Sequence, residues 1–172
     1  MLKNRAFAWI LTMVVMVLAV FVGVYTTYSS MRNTAVRAFE SEVIPTIHQT
    51  MMPAFDMHVV AQHYLSPSEL AAIGIERIVE DIQSTSNPNR IYQYFVLLNR
   101  GVYAIYDRLA EMDVSDRNQD FINRFLGDFE MLDLIISQAG YNNTAEEFNN
   151  ALGRNLGFIV RLFIGEMPRF DQ

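Results

Sequence analysis

The chain has no cysteine and a single tryptophan among its 172 residues. Without cysteine it can form no disulfide, no thiolate metal site and no thiol nucleophile, and it carries no mark of a redox compartment. Lysine is nearly missing: Lys3 stands alone, and the rest of the 13 basic residues are arginine. Glycine (8) and proline (5) are sparse, so there is little of the punctuation that strand-and-turn folds need. No Gly-x-x-x-x-Gly-Lys loop, Gly-x-Gly-x-x-Gly turn or His-Glu-x-x-His segment occurs, which removes the usual signatures of phosphate cradles and zinc peptidases. No serine sits in a nucleophile elbow. No histidine follows a glutamate by three residues, as di-iron helical bundles require. The formal net charge is -6. An acidic chain is repelled by phosphate backbones, so no nucleic-acid partner is expected.

What is present in quantity is apolar surface. Ala6 to Tyr25 forms an uncharged run between Arg5 and Arg32. About 20 apolar residues cross a bilayer as a helix, and in hydrocarbon only a helix satisfies every backbone amide within the segment. The run exceeds the ~7–15 residues of a signal-peptide core and lacks an Ala-x-Ala cleavage pattern, so a retained membrane helix is expected rather than a cleaved leader. Trp9 at one end and Tyr25 and Tyr28 at the other suit the two interfacial belts. Lys3 and Arg5 lie closer to the run than Arg32 and Arg37 do, which favours a cytoplasmic N-terminus and an external C-terminal domain. The organisation that follows is a short flank (1–5), a transmembrane helix (6–25) and one helical domain (26–172).

Beyond the run nearly every segment has helical period. Tyr25 to Ile44 contains neither Pro nor Gly, so the helix is expected to leave the membrane and continue to Pro45. There, and again at Pro53, the path should break or kink. Ser66-Pro67-Ser68-Glu69 is a capping-box start, and the helix after it should bury Ala71, Ile75, Ile78 and Ile82. Gln83-Ser84-Thr85-Ser86 reads as a polar linker, and Asn87-Pro88 as the next cap and first turn. Ile91, Phe95, Leu98, Val102, Ile105, Leu109 and Met112 alternate spacings of four and three, which is an a/d seam buried at shallow crossing angles. Asp113-Val114-Ser115-Asp116 offers two caps. Ile122, Phe125, Phe129, Leu132, Ile136 and Ala139 repeat the seam, and Tyr141, Ala145, Phe148 and Leu152 resume it after Gly140. Short loops between long helices force antiparallel neighbours. The fold class is all-α: an N-terminal transmembrane helix continuing into an antiparallel up-down bundle of about four helices.

Two clusters invite a chemical reading. His48, Met51, Met52, Met57, His58 and His63 fall within one short stretch. Thioether with imidazole suits copper(I), but methionine also fills irregular core space beside a kink; the packing reading is preferred, and no metal or cofactor is expected. Asn142, Asn143, Asn149 and Asn150 are unusual because Asn is a poor helix former. They should either bridge elements or face water.

Tyr141-Asn142 and Phe148-Asn149 stand seven residues apart, followed by Asn155-Leu156, a Leu162-Phe163-Ile164-Gly165 turn and Pro168-Arg-Phe170, while Arg32-Asn33 lies just past the apolar run. This pattern resembles the LemA family, whose members carry a paired Tyr-Asn helix, an Asn-Leu stretch, a Leu-Phe-Gly-like turn and a closing Pro-aromatic-Phe. The chain departs from the family at Met52-Pro53-Ala54-Phe55, where members have Ile-Pro-Asn-Leu after a basic stretch, and its C-terminal turn is one residue longer. The resemblance implies a divergent single-pass membrane protein of the bacterial envelope with no established catalytic activity. Its motif residues (Arg32, Asn33, Tyr141, Asn142, Phe148, Asn149, Asn155, Phe163, Pro168 and Phe170) would then be structural. The role expected is a scaffold or interaction domain held at the cell membrane. Its partners would be the lipid bilayer, an unidentified protein and, as an open choice, a second copy of the chain. A four-helix sensory module is the rival. The tail from Leu156 to Phe163 should lock the bundle end, with the bundle or the nearby membrane surface covering its apolar side chains.

Overall fold

A computed structural model describes residues 2–154 and 157–170, where every regular element is helical. Asn155, Leu156 and the side chain of Phe158 lie outside the described residues. The chain opens with α1 (Leu2–Ala38), a single π-helical turn (Phe39–Val43) and α2 (Ile44–Ala61). These three join into one uninterrupted helical rod, roughly 90 Å long at 1.5 Å per residue.

Of the break or kink expected at Pro45 and Pro53, the break is corrected: helix runs through both prolines. Proline removes a donor and clashes with the carbonyl four residues back. At Pro45 the π turn stands just before the clash: the Ile44 N–H donates to the Phe39 carbonyl, five residues back. A second reason is visible in the core positions Ala35, Phe39, Val43, Ile47 and Met51, all buried and all spaced by four. Four such steps drift about 160° around an ideal α-helix. A turn with an extra residue takes up part of that drift and keeps the stripe facing the core.

After a short turn come α3 (Pro67–Ile73), α4 (Ile75–Gln83), α5 (Pro88–Ala110), α6 (Asp116–Ser137), α7 (Gly140–Leu152) and α8 (Gly157–Ile164). The capping box forms as the sequence implies: the Glu69 N–H donates to Ser66 Oγ, and the Ser66 N–H returns to Glu69 Oε2 at 2.9 Å. The helix expected to bury Ala71 through Ile82 is two helices instead. Gly74 has φ 73 and ends α3 in the left-handed region, a conformation glycine adopts without strain. The break moves the contact from Ala71, which is exposed, to Leu70, and leaves Ile78 half-buried. Asn87 caps α5 by accepting from the Asn89 and Arg90 N–H groups. Ser115 occupies the N-cap position of α6 without a capping bond; its hydroxyl lies 3.4 Å from that of Tyr64.

Three cross-links fix the direction of packing. Tyr28 Oη donates to Ala151 O (3.2 Å), the Tyr141 N–H donates to Glu42 Oε2 (2.9 Å), and Asn118 Nδ2 donates to Tyr64 Oη (2.7 Å). As the first rod rises from 28 to 64, α7 and α6 descend from 151 to 118. They form a second rod antiparallel to the first. Tyr103 of α5 donates to Glu130 of α6 at 3.0 Å, and α3–α4 close the far side of α5. The core lies between these layers. Leu98, Val102, Ile105, Leu109, Ile122, Phe129 and Ile136 are at most 1% exposed, while Met112, just past the end of α5, leaves the seam and is exposed.

Candidate functional site

The residues of the C-terminal motif converge on one structural clasp. Tyr141, Phe148 and Phe170 are buried. Asn142 and Asn149, two turns apart on α7, hold the returning tail by its backbone. Asn149 accepts from the Met167 N–H (2.9 Å) and donates to the Met167 carbonyl (2.8 Å). Asn142 accepts from the Phe170 N–H (2.9 Å) and donates to the carbonyls of Ile136 and Ser137. Tyr141 Oη donates to the Pro168 carbonyl at 2.6 Å, and burial pushes its phenol pKa well above the ordinary value. The Phe170 ring then inserts among Phe39, Tyr92, Phe95 and Tyr141, with centroids 5.0 to 6.1 Å away. Arg169 pairs with Glu146. Of the four asparagines, the two on the buried side bridge to the tail, and Asn143 and Asn150 are exposed. Buried polar groups with every partner made rigidify a site; no open chemistry remains in this one.

The remaining motif residues are not gathered there. Arg32 is half-buried and Asn33 exposed on α1, well down the rod. Phe163 is 68% exposed on α8, so of the two covers expected for it the bundle end is not the one that the fold supplies. Asn155 lies outside the described residues.

The histidine–methionine stretch divides by face. Met51 and Met57 are buried as packing residues, whereas Met52, expected in the same role, is 70% exposed. His48 and His63 are exposed. His58 is buried, with Nε2 3.3 Å from Glu76 Oε1 across the α2–α4 contact, and its Nδ1 is buried without a hydrogen-bond partner among the described residues. A groove of about 530 Å³ opens beside it, lined by Gln62, Leu65, Leu70, Glu76 and Arg77 among others. Among the described residues no three His, Asp or Glu side chains come close enough together to hold a metal ion.

Outside the clasp, four further groups among the described residues are perturbed. Burial raises the Asp133 carboxyl above the ordinary carboxylate range; Asn99 opposes it by hydrogen bonding, and the Glu130 charge adds to the rise. Hydrogen bonds from Ser66 lower Glu69, and those of Ser115 and Asn118 lower Tyr64. Burial, and then the Glu130 hydrogen bond and the Glu130 and Asp133 charges, raise Tyr103 as well, which places it with Asp133 on the α5–α6 contact, whereas Glu69 and Tyr64 lie apart.

Uncovered apolar surface is the dominant feature. Phe7 to Val22 of α1 presents Trp9 (73% exposed), Met13, Val17 and Val20 on all sides. Among the described residues this is the one helix long and apolar enough to cross a membrane, and its most apolar stretch is wholly unburied. On α8, Leu162 is 82% exposed beside Phe163. On α6, Met131, Leu134 and Ile135 are about half exposed and share one helical face. Compared with protein-family models, with curated proteins and with solved structures, the chain finds no match.

Proposed function

We propose that this chain is a non-catalytic interaction module of a bacterial envelope, a divergent relative of the LemA family. In this reading α1 spans the membrane once, with the N-terminus cytoplasmic and the bundle outside. The observation that carries the reading is the contrast along the first rod, whose most apolar N-terminal stretch holds no buried residue while its other end is sealed in the core. A partner protein would dock on the bundle, and the Met131–Leu134–Ile135 face is the surface offered to it, since an apolar face of this kind ordinarily marks an interaction site.

The test uses the full-length chain in its membranes. The protein should resist carbonate extraction and retain its N-terminal residues by mass. A photo-crosslinker at Leu134 should capture a discrete protein, and one at the exposed Asn150 should not. A mature N-terminus beyond Tyr25 would remove the anchor from the reading, and equal, diffuse labelling from both positions would remove the docking face.

A further inference from the structure

We infer that α8 is a second membrane element, an interfacial helix that places Leu162 and Phe163 among lipid acyl chains beside α1. The inference rests on the reading of α1 as a membrane span. It adds a contact made by the opposite end of the sequence.

The position of α8 carries it. Its Ile159 and Val160 line an apolar, half-open pocket of about 150 Å³ with Val17, Val20, Phe21 and Val24 of α1. The Phe163 ring meets that of Phe21 edge to face at 6.3 Å. These α1 residues belong to the apolar run, so whatever medium surrounds Val17 and Val20 also surrounds the outer face of α8. That face holds Leu162 and Phe163, 82% and 68% exposed. Phe21 lies one turn inside Tyr25, about 6 Å along the axis, and interfacial helices sink about 5–10 Å into the headgroup–acyl boundary. The depth set by the packing is therefore the depth such a helix takes.

The backbone holds α8 there. Gly157 is pressed against the end of α7, where a Cβ would lie 2.5 Å from the Ala151 carbonyl and 2.8 Å from Tyr28 Oη. Val160 is fully buried, so one side of α8 is fastened to the protein. The charge on the helix is dealt with locally: Arg161 pairs with Glu166 at 2.6 Å, where the chain turns back toward the clasp. A helix end fastened on one side, apolar on the other and level with a span has lipid as its continuous neighbour.

The absence of native cysteine makes the test clean. Single substitutions Phe163→Cys, Leu162→Cys, Val14→Cys and Met131→Cys in the full-length chain are labelled with a polarity-sensitive fluorophore. The labelled protein is reconstituted in phosphatidylcholine–phosphatidylglycerol vesicles carrying nitroxide at a shallow or a deep acyl carbon. The expected result is loss of most emission at 162 and 163 with the shallow quencher, loss at 14 with the deep one, and no loss at 131. Quenching at 14 without quenching at 162 or 163 overturns the α8 inference and leaves the span intact; a blue-shifted unquenched label would then show protein cover by a second copy, and a red one water. No quenching at 14 overturns the span reading and the inference with it.

Discussion

The two ends of the first rod share a backbone and differ in everything that surrounds it. Near the N-terminus Trp9, Met13 and Val17 are each more than 60% exposed, while further along Phe39, Ile47 and Met57 are sealed at 0%. Both ends are rich in apolar residues. The difference is pattern and cover: around the N-terminal end they lie open on every face, and along α2 a stripe of Ile47, Met51, Ala54 and Met57 is sealed by the bundle while Met52, Phe55 and Val59 stay exposed among polar positions. A helix apolar on all sides needs an apolar environment from outside the chain, whereas a striped one finds it within. Composition alone cannot separate the two cases; arrangement around the helix does.

That contrast can be broken from either side. The largest effect is expected from Phe170→Ala, which empties the ring from the junction of Phe39, Tyr92, Phe95 and Tyr141. It should cost about 3–5 kcal/mol, read as a fall in the unfolding midpoint of the full chain in detergent, while retention in the membrane fraction is unchanged. Val14→Arg should do the reverse. A charge at the centre of a span costs about 2.5–3.5 kcal/mol on insertion scales, so membrane retention should drop while helical content stays the same. If each substitution moved both readouts, the two ends would not be independent.

The smallest effect sharpens the bundle side. Asp133 is held above its ordinary pKa by burial, so the folded state favours the protonated carboxyl and ionisation opposes folding at neutral pH. Asp133→Asn should therefore raise the melting temperature slightly at pH 7. The difference should shrink as pH falls through the folded pKa and be gone below about 3.9, where the unfolded carboxyl is also protonated. A difference that grew on acidification would reverse the sign argued here.

Much of the bundle is legible in the sequence. The alternating seam of α5, the capping box at Ser66 and the cap at Asn87 are local signals, and local chemistry decides them. The junctions escaped because they depend on distant partners. Gly74 ends a helix that periodicity alone would continue. Pro45 reads as a breaker, yet the run of buried positions spaced by four from Ala35 to Met51 was the available sign that a π turn stood beside it. The pairing of Asn142 and Asn149 with the tail could be anticipated as a bridge or as solvation, and only the return of the chain through Met167 and Phe170 chooses. Leu162 and Phe163 looked like residues in need of cover. The fold turns them outward, because Val160 and Gly157 take the buried positions on that short helix.

The π turn also sets a rotational phase. Each added or removed residue in a helix turns everything beyond it by about 100°. Phe39 and Glu42, at the two sides of the wide turn, are clamped by Phe170 and by the Tyr141 amide. The azimuth of the N-terminal end is thereby locked to the bundle core, and with it the choice of which face of Val17 and Phe21 is turned to α8. Lengthening or shortening the rod by one residue at Phe39–Val43 would leave its length almost the same and swing that face about a quarter-turn away. The chain keeps bearing as well as distance, in the way a keyed shaft does.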